Sequence, residues 1–328
     1  MKSQLRSFLK SPQVLLSEQF AYGMREVLLL THREDPTSII SAKLVHGEVG
    51  YKDASKWPSV WESPFRRYPI LSWSTVQKKQ LESLGFKEKI FAVGAPYLHL
   101  LKYINENPNL KWPSFFDNSL LYFPSHSHPG YSINSDEMVE DQINFHDFNK
   151  VTVCLFWLDF INPIIRERYL RLGVNVTCAG YKGNTSIETP WADDGGRTGH
   201  LLTLASLISK HEYIATDMVS VTLLYAAAQG KKVKFLKNLT KLSVASNPKK
   251  RLVSNEQSTI VSEDLSPGVW YDCSVQNPAL DVSFKYLGQE TLNGFQDWVN
   301  RTGSLSRKKI SSHYVESAES KLHKMFGI

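Results

Sequence analysis

The chain has 328 residues, of which 42% are hydrophobic and 21% are charged, and its formal net charge is +6 at pH 7. This balance is that of a globular protein and excludes an intrinsically disordered chain or a small disulfide-stabilised scaffold. The length fits two domains of roughly 150 residues, and no apolar run approaches the ~18 residues needed to cross a bilayer.

The three cysteines, Cys154, Cys178 and Cys273, show no C-x-x-C spacing. We therefore expect free thiols and no structural zinc, as in a reducing compartment. Residues 1–10 contain no apolar core of the length found in signal peptides. These features together predict a cytoplasmic protein.

The basic residues occur in short clusters rather than in long runs. The three densest are 231–232, 249–251 and 307–309. No nucleic-acid motif accompanies them, so we expect no nucleic-acid partner. Peripheral contact with an anionic membrane, through 307–309 and an amphipathic tail at 317–326, is one interpretation. A solvated surface helix is the other.

The first third of the chain predicts a short α/β unit. Apolar runs predict strands at 26–30, 38–45, 68–73 and 89–93, and helical patterns cover 75–84 and 97–105. A stretch with two prolines and no periodicity, 107–117, predicts a linker.

The second part repeats the alternation more clearly. We expect strands at 120–123, 150–157, 174–179, 213–216 and 232–236, and helices at 136–144, 163–172, 198–210 and 219–229. Beyond residue 240 the pattern fades. The sequence thus predicts an α/β fold with two mainly parallel sheets, and ligands bind such sheets at the carboxyl ends of the strands.

The segment 213–235 (YIATDMVSVTLLYAAAQGKKVKF) resembles the nucleotide-binding signature of GT-B glycosyltransferases. The resemblance is to the teichoic-acid polyol-phosphate transferases and the capsule or lipopolysaccharide sugar transferases. The residues that match the signature are Thr216, Asp217, Ser220, Gly230 and Lys231. Upstream, His46-Gly47, Ser72-Trp73-Ser74 and Gly94-Ala95-Pro96-Tyr97 match the order of that family's acceptor-domain landmarks.

The resemblance implies two Rossmann-like domains that face a cleft, the first one short. Residues 1–112 would form the acceptor side and 113–300 the nucleotide-donor side, followed by a helical tail at 301–328. It also implies glycosyl transfer from a nucleotide sugar to a glycan or lipid-linked glycan of the cell surface. A polyol-phosphate or pyruvyl transferase on the same fold is the alternative enzyme, and a non-enzymatic polyanion-binding protein is the alternative of another class.

The turn after residue 216 is the first candidate site. A strand that leads into a helix offers free backbone N–H groups and the positive end of the helix dipole, which together suit a phosphate. Ser220 and Thr222 can add hydroxyl donors. Asp217 belongs to this seat, or else it caps the helix in the ordinary way.

The turn after the strand at 120–123 is the second candidate site. Its polar side chains are those of Ser125, His126, Ser127 and His128. They can donate hydrogen bonds to a phosphate or a sugar. The alternative is that this segment is an ordinary polar turn with no ligand. Trp157, Gly180 and Tyr181 follow two further strands and are candidates to contact the base, although core packing also explains Trp157.

The third group would act on the sugar and the acceptor. His46 stands where the related enzymes keep a catalytic base, although it is equally an ordinary loop histidine. Asp193 and Asp194 can bind sugar hydroxyls or attack the anomeric carbon, and Arg197 can clamp phosphate. A flexible capping turn is the alternative for this loop. No Asp-x-Asp metal motif occurs, so we expect neither an obligatory metal nor another cofactor.

Overall fold

The computed structural model describes residues 23–35, 38–45, 68–83, 85–86, 89–125, 131–134, 143–180, 200–217, 220–236, 241–244, 265–303 and 305–309. Elements are numbered in chain order within these residues. The predicted α/β class is confirmed, because helices alternate with strands that pair mainly in parallel.

A small sheet forms in the first part of the chain. Its three parallel strands are β2 (Lys43–Leu44), β3 (Ile70–Ser72) and β4 (Ile90–Ala92). The helices of this region are α1 (Met24–Thr31), α2 (Thr75–Ser83) and α3 (Pro96–Glu106). A separate strand, β1 (Ser38–Ile40), pairs antiparallel with β13 (Leu305–Lys309).

A larger sheet of six strands follows in the second part. Its parallel strands are β5 (Ser119–Phe123), β7 (Lys150–Leu155), β8 (Asn175–Cys178), β9 (Tyr213–Thr216) and β10 (Lys232–Phe235). The order across the sheet is β12-β10-β9-β5-β7-β8, with the short antiparallel β12 (Tyr271–Asp272) at one edge. β6 (Tyr131–Asn134) and β11 (Lys241–Val244) form a separate antiparallel pair.

Helices cover both faces of the large sheet. They are α4 (Trp157–Ile161), α5 (Pro163–Arg171), α6 (His200–Ser209) and α7 (Val221–Ala228). Alternate strand residues enter different cores: Leu121 and Ile214 join the larger apolar core, whereas Leu120 and Ala215 join a second one. This alternation is expected for strands that are buried on both faces.

Two further helices follow: α8 (Pro278–Leu287) packs mainly against α7, and α9 (Gly294–Thr302) packs against β4 of the first sheet. The Thr291 hydroxyl, between them, donates to the Trp73 carbonyl at 2.8 Å, and the N–H of Ala95 donates to the Leu287 carbonyl at 2.8 Å. The larger apolar core is therefore shared by both sheets. The turns Ser72-Trp73-Ser74 and Gly94-Ala95-Pro96, expected to serve the acceptor, lie under these helices.

Four expectations about secondary structure are wrong. The tail expected to be helical at 301–328 contains the strand β13 at 305–309, which pairs with β1. Residues 26–30 belong to helix α1, not to a strand, because Met24, Val27 and Leu28 share one face and α1 packs against α3. The strand at 150–157 ends at Leu155, and Trp157 begins a helix. Order continues beyond residue 240, with α8 and α9.

The predicted helices at 136–144 and 317–326 lie largely or wholly outside the described residues. No helix in the described ranges combines the length and the apolar character needed to cross a membrane.

Candidate functional site

The order of the large sheet locates a crevice at its carboxyl edge. Along the chain the first parallel strand, β5, lies at the centre, β7 and β8 follow on one side, and β9 and β10 follow on the other. The chain reverses its direction across the sheet between β5 and β9. Ligands of open α/β sheets bind at this switch point, outside the carboxyl ends of the two strands. The residues that follow β5 and β9 there are Ser125 and Asp217.

Asp217 links the ends of these two strands. Its side chain is buried, with the residue only 1% exposed. One carboxylate oxygen accepts a hydrogen bond from the backbone N–H of Ser125 at 2.6 Å, and the other accepts from the Tyr122 hydroxyl. The carboxylate thus lies below the crevice and ties the turn after β5 to β9.

The N-terminus of α7 forms one wall of the switch point. Ser220 is its cap, because the Ser220 hydroxyl oxygen accepts from the N–H of Leu223 at 3.3 Å. The capping role considered for Asp217 is therefore filled by another residue. Among the described residues, no acceptor takes the N–H of Val221 or Thr222. These groups, the partly exposed Thr222 side chain and the helix dipole together make a seat for an anion.

The turn after β5 contains a buried hydroxyl with no acceptor. The Oγ atom of Ser125 is shielded from solvent and has no hydrogen-bond partner among the described residues. Buried hydroxyl groups in folded proteins are normally paired. A polar ligand group or an ordered water at this turn would satisfy it. The predicted residues Ser125, Asp217, Ser220 and Thr222 therefore follow two neighbouring strands at one edge of the sheet, and Ser125 and Asp217 are in contact.

Trp157 and Gly180 lie farther along the carboxyl edge. Trp157 is 9% exposed at the start of α4, so its ring offers a base little free surface. Gly180, with φ of 91°, follows the edge strand β8, three strands away from β9. At about 4.8 Å per strand, this is a separation of roughly 14 Å. The structure does not bring Gly180 to the phosphate seat.

The remaining predicted site residues fall outside the described residues and stay predictions. They are His46, His126, Ser127, His128, Tyr181, Asp193, Asp194 and Arg197. Within the described ranges, no group of three histidine, cysteine or carboxylate side chains is arranged to hold a metal ion.

Tyr122 and Tyr225 were missed at the sequence level. Tyr122 is fully buried on β5, and nothing in an apolar strand signals that its hydroxyl meets Asp217. Tyr225, in α7, stacks on Tyr97 with ring centroids 4.0 Å apart. The Tyr97 hydroxyl also donates to Gln229 at 2.9 Å. Burial raises the pKa of Tyr97, so this hydroxyl remains a donor. The stack fixes the helix that carries the anion seat against the first part of the chain.

No family model and no curated protein matches this sequence. Solved structures do match. The pneumococcal O-GlcNAc transferase GtfA, in complex with UDP and GlcNAc, is 11% identical over 79% of this chain and 52% of its own, with a TM-score of 0.36. The GtfA/B complex is 10% identical over 79% and 52%, with a TM-score of 0.33.

A third similar structure is Anabaena Alr3699/HepE in complex with UDP and glucose. It is 12% identical over 86% of this chain and 76% of its own, with a TM-score of 0.32. The chain spans about half the length of the two matching chains in the GtfA structures. Identities and TM-scores this low assign no activity to the chain.

Proposed function

We propose that this chain is a glycosyltransferase that uses a nucleotide-activated sugar. The single observation that carries the proposal is the start of α7 at the β5–β9 switch point, beside the turn held by Asp217, where no described residue accepts the N–H groups of Val221 and Thr222. A nucleotide diphosphate is the anion that a Rossmann-type sheet binds at such a place.

In the proposed complex the diphosphate rests on the first turn of α7. Ser220 and Thr222 contribute hydroxyl groups, and Ser125 lies across the crevice. The residues proposed to complete the donor site are His126, Ser127, His128, Tyr181 and Arg197. His46 is proposed as the base that takes the acceptor proton, with Asp193 and Asp194 near the sugar.

In the proposed reaction the protein contributes mainly by positioning the substrates and by stabilising the charge that develops. As the bond to the sugar breaks, negative charge grows on the leaving diphosphate. Fixed N–H dipoles stabilise that charge without having to reorganise, and holding both substrates removes much of the entropic barrier. We propose that no metal is obligatory, because the helix N-terminus and cationic side chains supply the positive potential.

We further propose that residues 1–112 present the acceptor and 113–300 hold the donor. A cytoplasmic enzyme that extends a surface glycan agrees with the family resemblance described above. The acceptor can be a lipopolysaccharide, a capsule chain or a related glycan.

A panel of CMP, CDP, UDP and GDP with their sugar conjugates tests the proposal by thermal shift and calorimetry. One nucleotide series should raise the melting temperature, since a ligand at 100 times its Kd stabilises the native state by about 2.7 kcal/mol. The variant Thr222→Glu sharpens the test. A carboxylate in the first turn of a helix favours folding, yet it repels a phosphate.

We expect Thr222→Glu to fold normally and to bind the nucleotide at least about tenfold more weakly. The control is Thr302→Glu, at the exposed end of α9, which should bind like the wild type. Failure of every nucleotide to bind, or equal binding by Thr222→Glu and the wild type, would refute the proposed seat.

A further inference from the structure

The amino edge of the large sheet, opposite the candidate site, carries two exposed apolar side chains. Phe115 lies shortly before β5 in the chain. Val275 follows β12, which runs antiparallel to the other strands and therefore ends at this edge. Phe115 is 52% exposed and Val275 is 62% exposed. Single exposed hydrophobic residues need no explanation, but apolar side chains grouped at one place mark an interaction surface.

Lys231 connects these two apolar residues. Its Nζ atom lies 4.9 Å from the centre of the Phe115 ring. Its carbonyl oxygen accepts a hydrogen bond from the N–H of Cys273 at 3.2 Å, two residues before Val275. The ammonium group also donates to the Ser209 carbonyl at 2.8 Å, at the end of α6. One fixed cationic side chain thus lies beside both apolar positions.

Two further lysines lie on the same side of this edge. Lys210 directly follows α6, and Lys150 begins β7 with its Nζ atom 3.4 Å from the centre of the Phe116 ring. Burial, with further contributions from the positive charges of Lys150, Lys231 and Lys210, lowers the pKa of His211 to about 4. Three ammonium groups therefore surround one neutral imidazole.

The carboxylates of this edge leave that positive charge largely uncompensated. In the described ranges, none forms an ion pair with any of the three ammonium groups. Glu212 is engaged with Lys232 at 2.7 Å and with the N–H of Asn118 at 3.0 Å. Asp272 stands beside Lys232 in the strand ladder. The exposed Asp117 is the remaining described acid of the segments that form this edge.

The spread of the charges indicates an extended ligand. Lys150 begins β7 and Lys231 precedes β10, three strand spacings away, which is roughly 14 Å. A single phosphate is too small to span that width, whereas about four residues of extended polypeptide cover it. Burial of Phe115 and Val275 also requires apolar groups from the ligand. An acidic polypeptide can supply both kinds of side chain.

We propose that the amino-edge patch, defined as Phe115, Lys150, Lys210, Lys231 and Val275, binds an acidic segment of a partner protein. The segment carries apolar side chains among its carboxylates. The lysines attract and orient it, and the two apolar residues form the central contact. The cation–π contact with Lys231 holds the Phe115 ring in place before binding, which lowers the entropic cost of association.

This inference goes beyond the proposed glycosyl transfer. The patch and the anion seat are at opposite edges of one sheet, so a bound partner would leave the seat open. No nucleotide enters the test below. The two proposals can therefore fail independently.

The experiment measures binding of the full chain to three immobilised polyanions by biolayer interferometry. They are a random copolymer of glutamate and tyrosine, polyglutamate without tyrosine, and heparin. The copolymer should bind at least about fivefold more tightly than either of the others, since it alone combines carboxylates with apolar groups. Added salt should weaken the binding without abolishing this preference, because salt screens only the charges.

Matched variants locate the contact. Val275→Asp and Lys210→Glu should each weaken binding of the copolymer by about tenfold. Ile164→Asp makes the first change at a residue that is 68% exposed on α5, the helix that packs against the opposite edge strand β8. Lys79→Glu makes the second on the exposed side of α2. Both controls should bind like the wild type.

Melting temperatures of the four variants show whether any loss of binding comes from unfolding. The proposal is overturned if the wild type does not bind the copolymer at low salt. It is equally overturned if Val275→Asp and Lys210→Glu bind like the wild type, or if the controls lose as much affinity as they do. Heparin binding as tight as that of the copolymer would replace the protein partner with an anionic glycan.

Discussion

The carboxylate of Asp217 and the backbone N–H of Ser125 are joined by a hydrogen bond of 2.6 Å across the ends of two neighbouring strands. The two residues are 92 positions apart in the chain, and they meet where the chain reverses its direction across the sheet. A buried carboxylate with two donors is a rigid support. It gives the turn after β5 a fixed distance from the N-terminus of α7.

The first prediction concerns this support. Asp217→Ala should remove the acceptor of both the Tyr122 hydroxyl and the Ser125 N–H, and the loss of such an acceptor costs about 1–3 kcal/mol for each group. We expect urea unfolding to show this loss, and nucleotide affinity to fall even at temperatures where the variant is fully folded. Asp217→Asn, which retains an acceptor oxygen for Ser125, should recover part of the affinity.

Tyr122→Phe is the control for the first prediction, because it removes one donor and leaves the bond from Asp217 to Ser125 intact. It should lower stability while changing the nucleotide Kd little. A variant Asp217→Ala with unchanged nucleotide affinity would show that the carboxylate supports the fold only.

The second prediction concerns the turn that docks the C-terminal helices. Gly288 ends α8 with φ of 76°, and a methyl group there would overlap the carbonyl oxygen of Trp73 and approach the Thr291 hydroxyl to 2.6 Å. Gly288→Ala should therefore destabilise the protein by more than about 3 kcal/mol, through backbone strain and displacement of the turn.

Gly303 is a matched control for that prediction. It ends α9 with φ of 56°, yet within the described part of the chain no atom lies within 4 Å of where its Cβ would stand. Gly303→Ala should cost only the conformational strain, about 1–2 kcal/mol. Chemical denaturation of both variants measures the difference, and equal losses would mean that the contact with Trp73 contributes nothing.

The third prediction concerns acid sensitivity. Burial, with further contributions from His32 and Lys102, lowers the pKa of His99 to about 3, and its Nε2 atom lies 2.7 Å from the Val93 carbonyl. Burial likewise lowers the pKa of His211 to about 4. Both imidazoles are neutral in the folded state, whereas the unfolded chain takes up protons below a pH of about 6.5.

Stability should therefore fall as the pH drops below about 6.5, and continue to fall toward the folded-state pKa values. The expected loss is about 2 kcal/mol for each histidine at pH 5. Urea unfolding of the wild type and of His99→Gln at pH 7.5 and pH 5 tests this. The variant should lose about 2 kcal/mol less between the two pH values, and identical pH dependence would contradict the assignment.

Much of the α/β alternation was predictable from local pattern. The strand at 213–216 and the helices at 75–83 and 163–171 were located to within a residue, because each has a clear period and a terminating signal such as Gly173. The strand predicted at 26–30 is wrong for a physical reason. A short run such as VLLL fits a strand or a buried helix equally well, and only its packing against α3 decides between them.

The C-terminal helices α8 and α9 were not predicted, for a different reason. Asn277-Pro278 is a readable helix start, with the Asn277 side chain accepting from Ala279 at 2.8 Å, and Gly288 is a readable end. Both signals are present in the sequence itself. That α9 packs on the first sheet, and that the end of α8 meets Trp73 and Ala95, was not predictable, since no local pattern encodes a contact with residues about 200 positions earlier.

The candidate site was predictable only in its parts. Ser125, Asp217, Ser220 and Thr222 each follow a strand or open a helix, and that much is visible in the sequence. Which of them meet depends on strand order, which is set by long-range pairing. The order makes the two strands that these four follow neighbours and leaves Gly180 far along the edge. The roles of Tyr122 and Tyr225 depend on contacts that only the folded chain reveals.

The antiparallel pairing of β1 with β13 joins Ile40 to Leu305. During synthesis the partner of β1 leaves the ribosome only after some 265 further residues, a delay on the order of tens of seconds at about 5–20 residues per second. Throughout that interval the N-terminal apolar surface lacks its final neighbours. We expect nascent chains to depend on holding chaperones until β13 has been synthesised and can pair with β1.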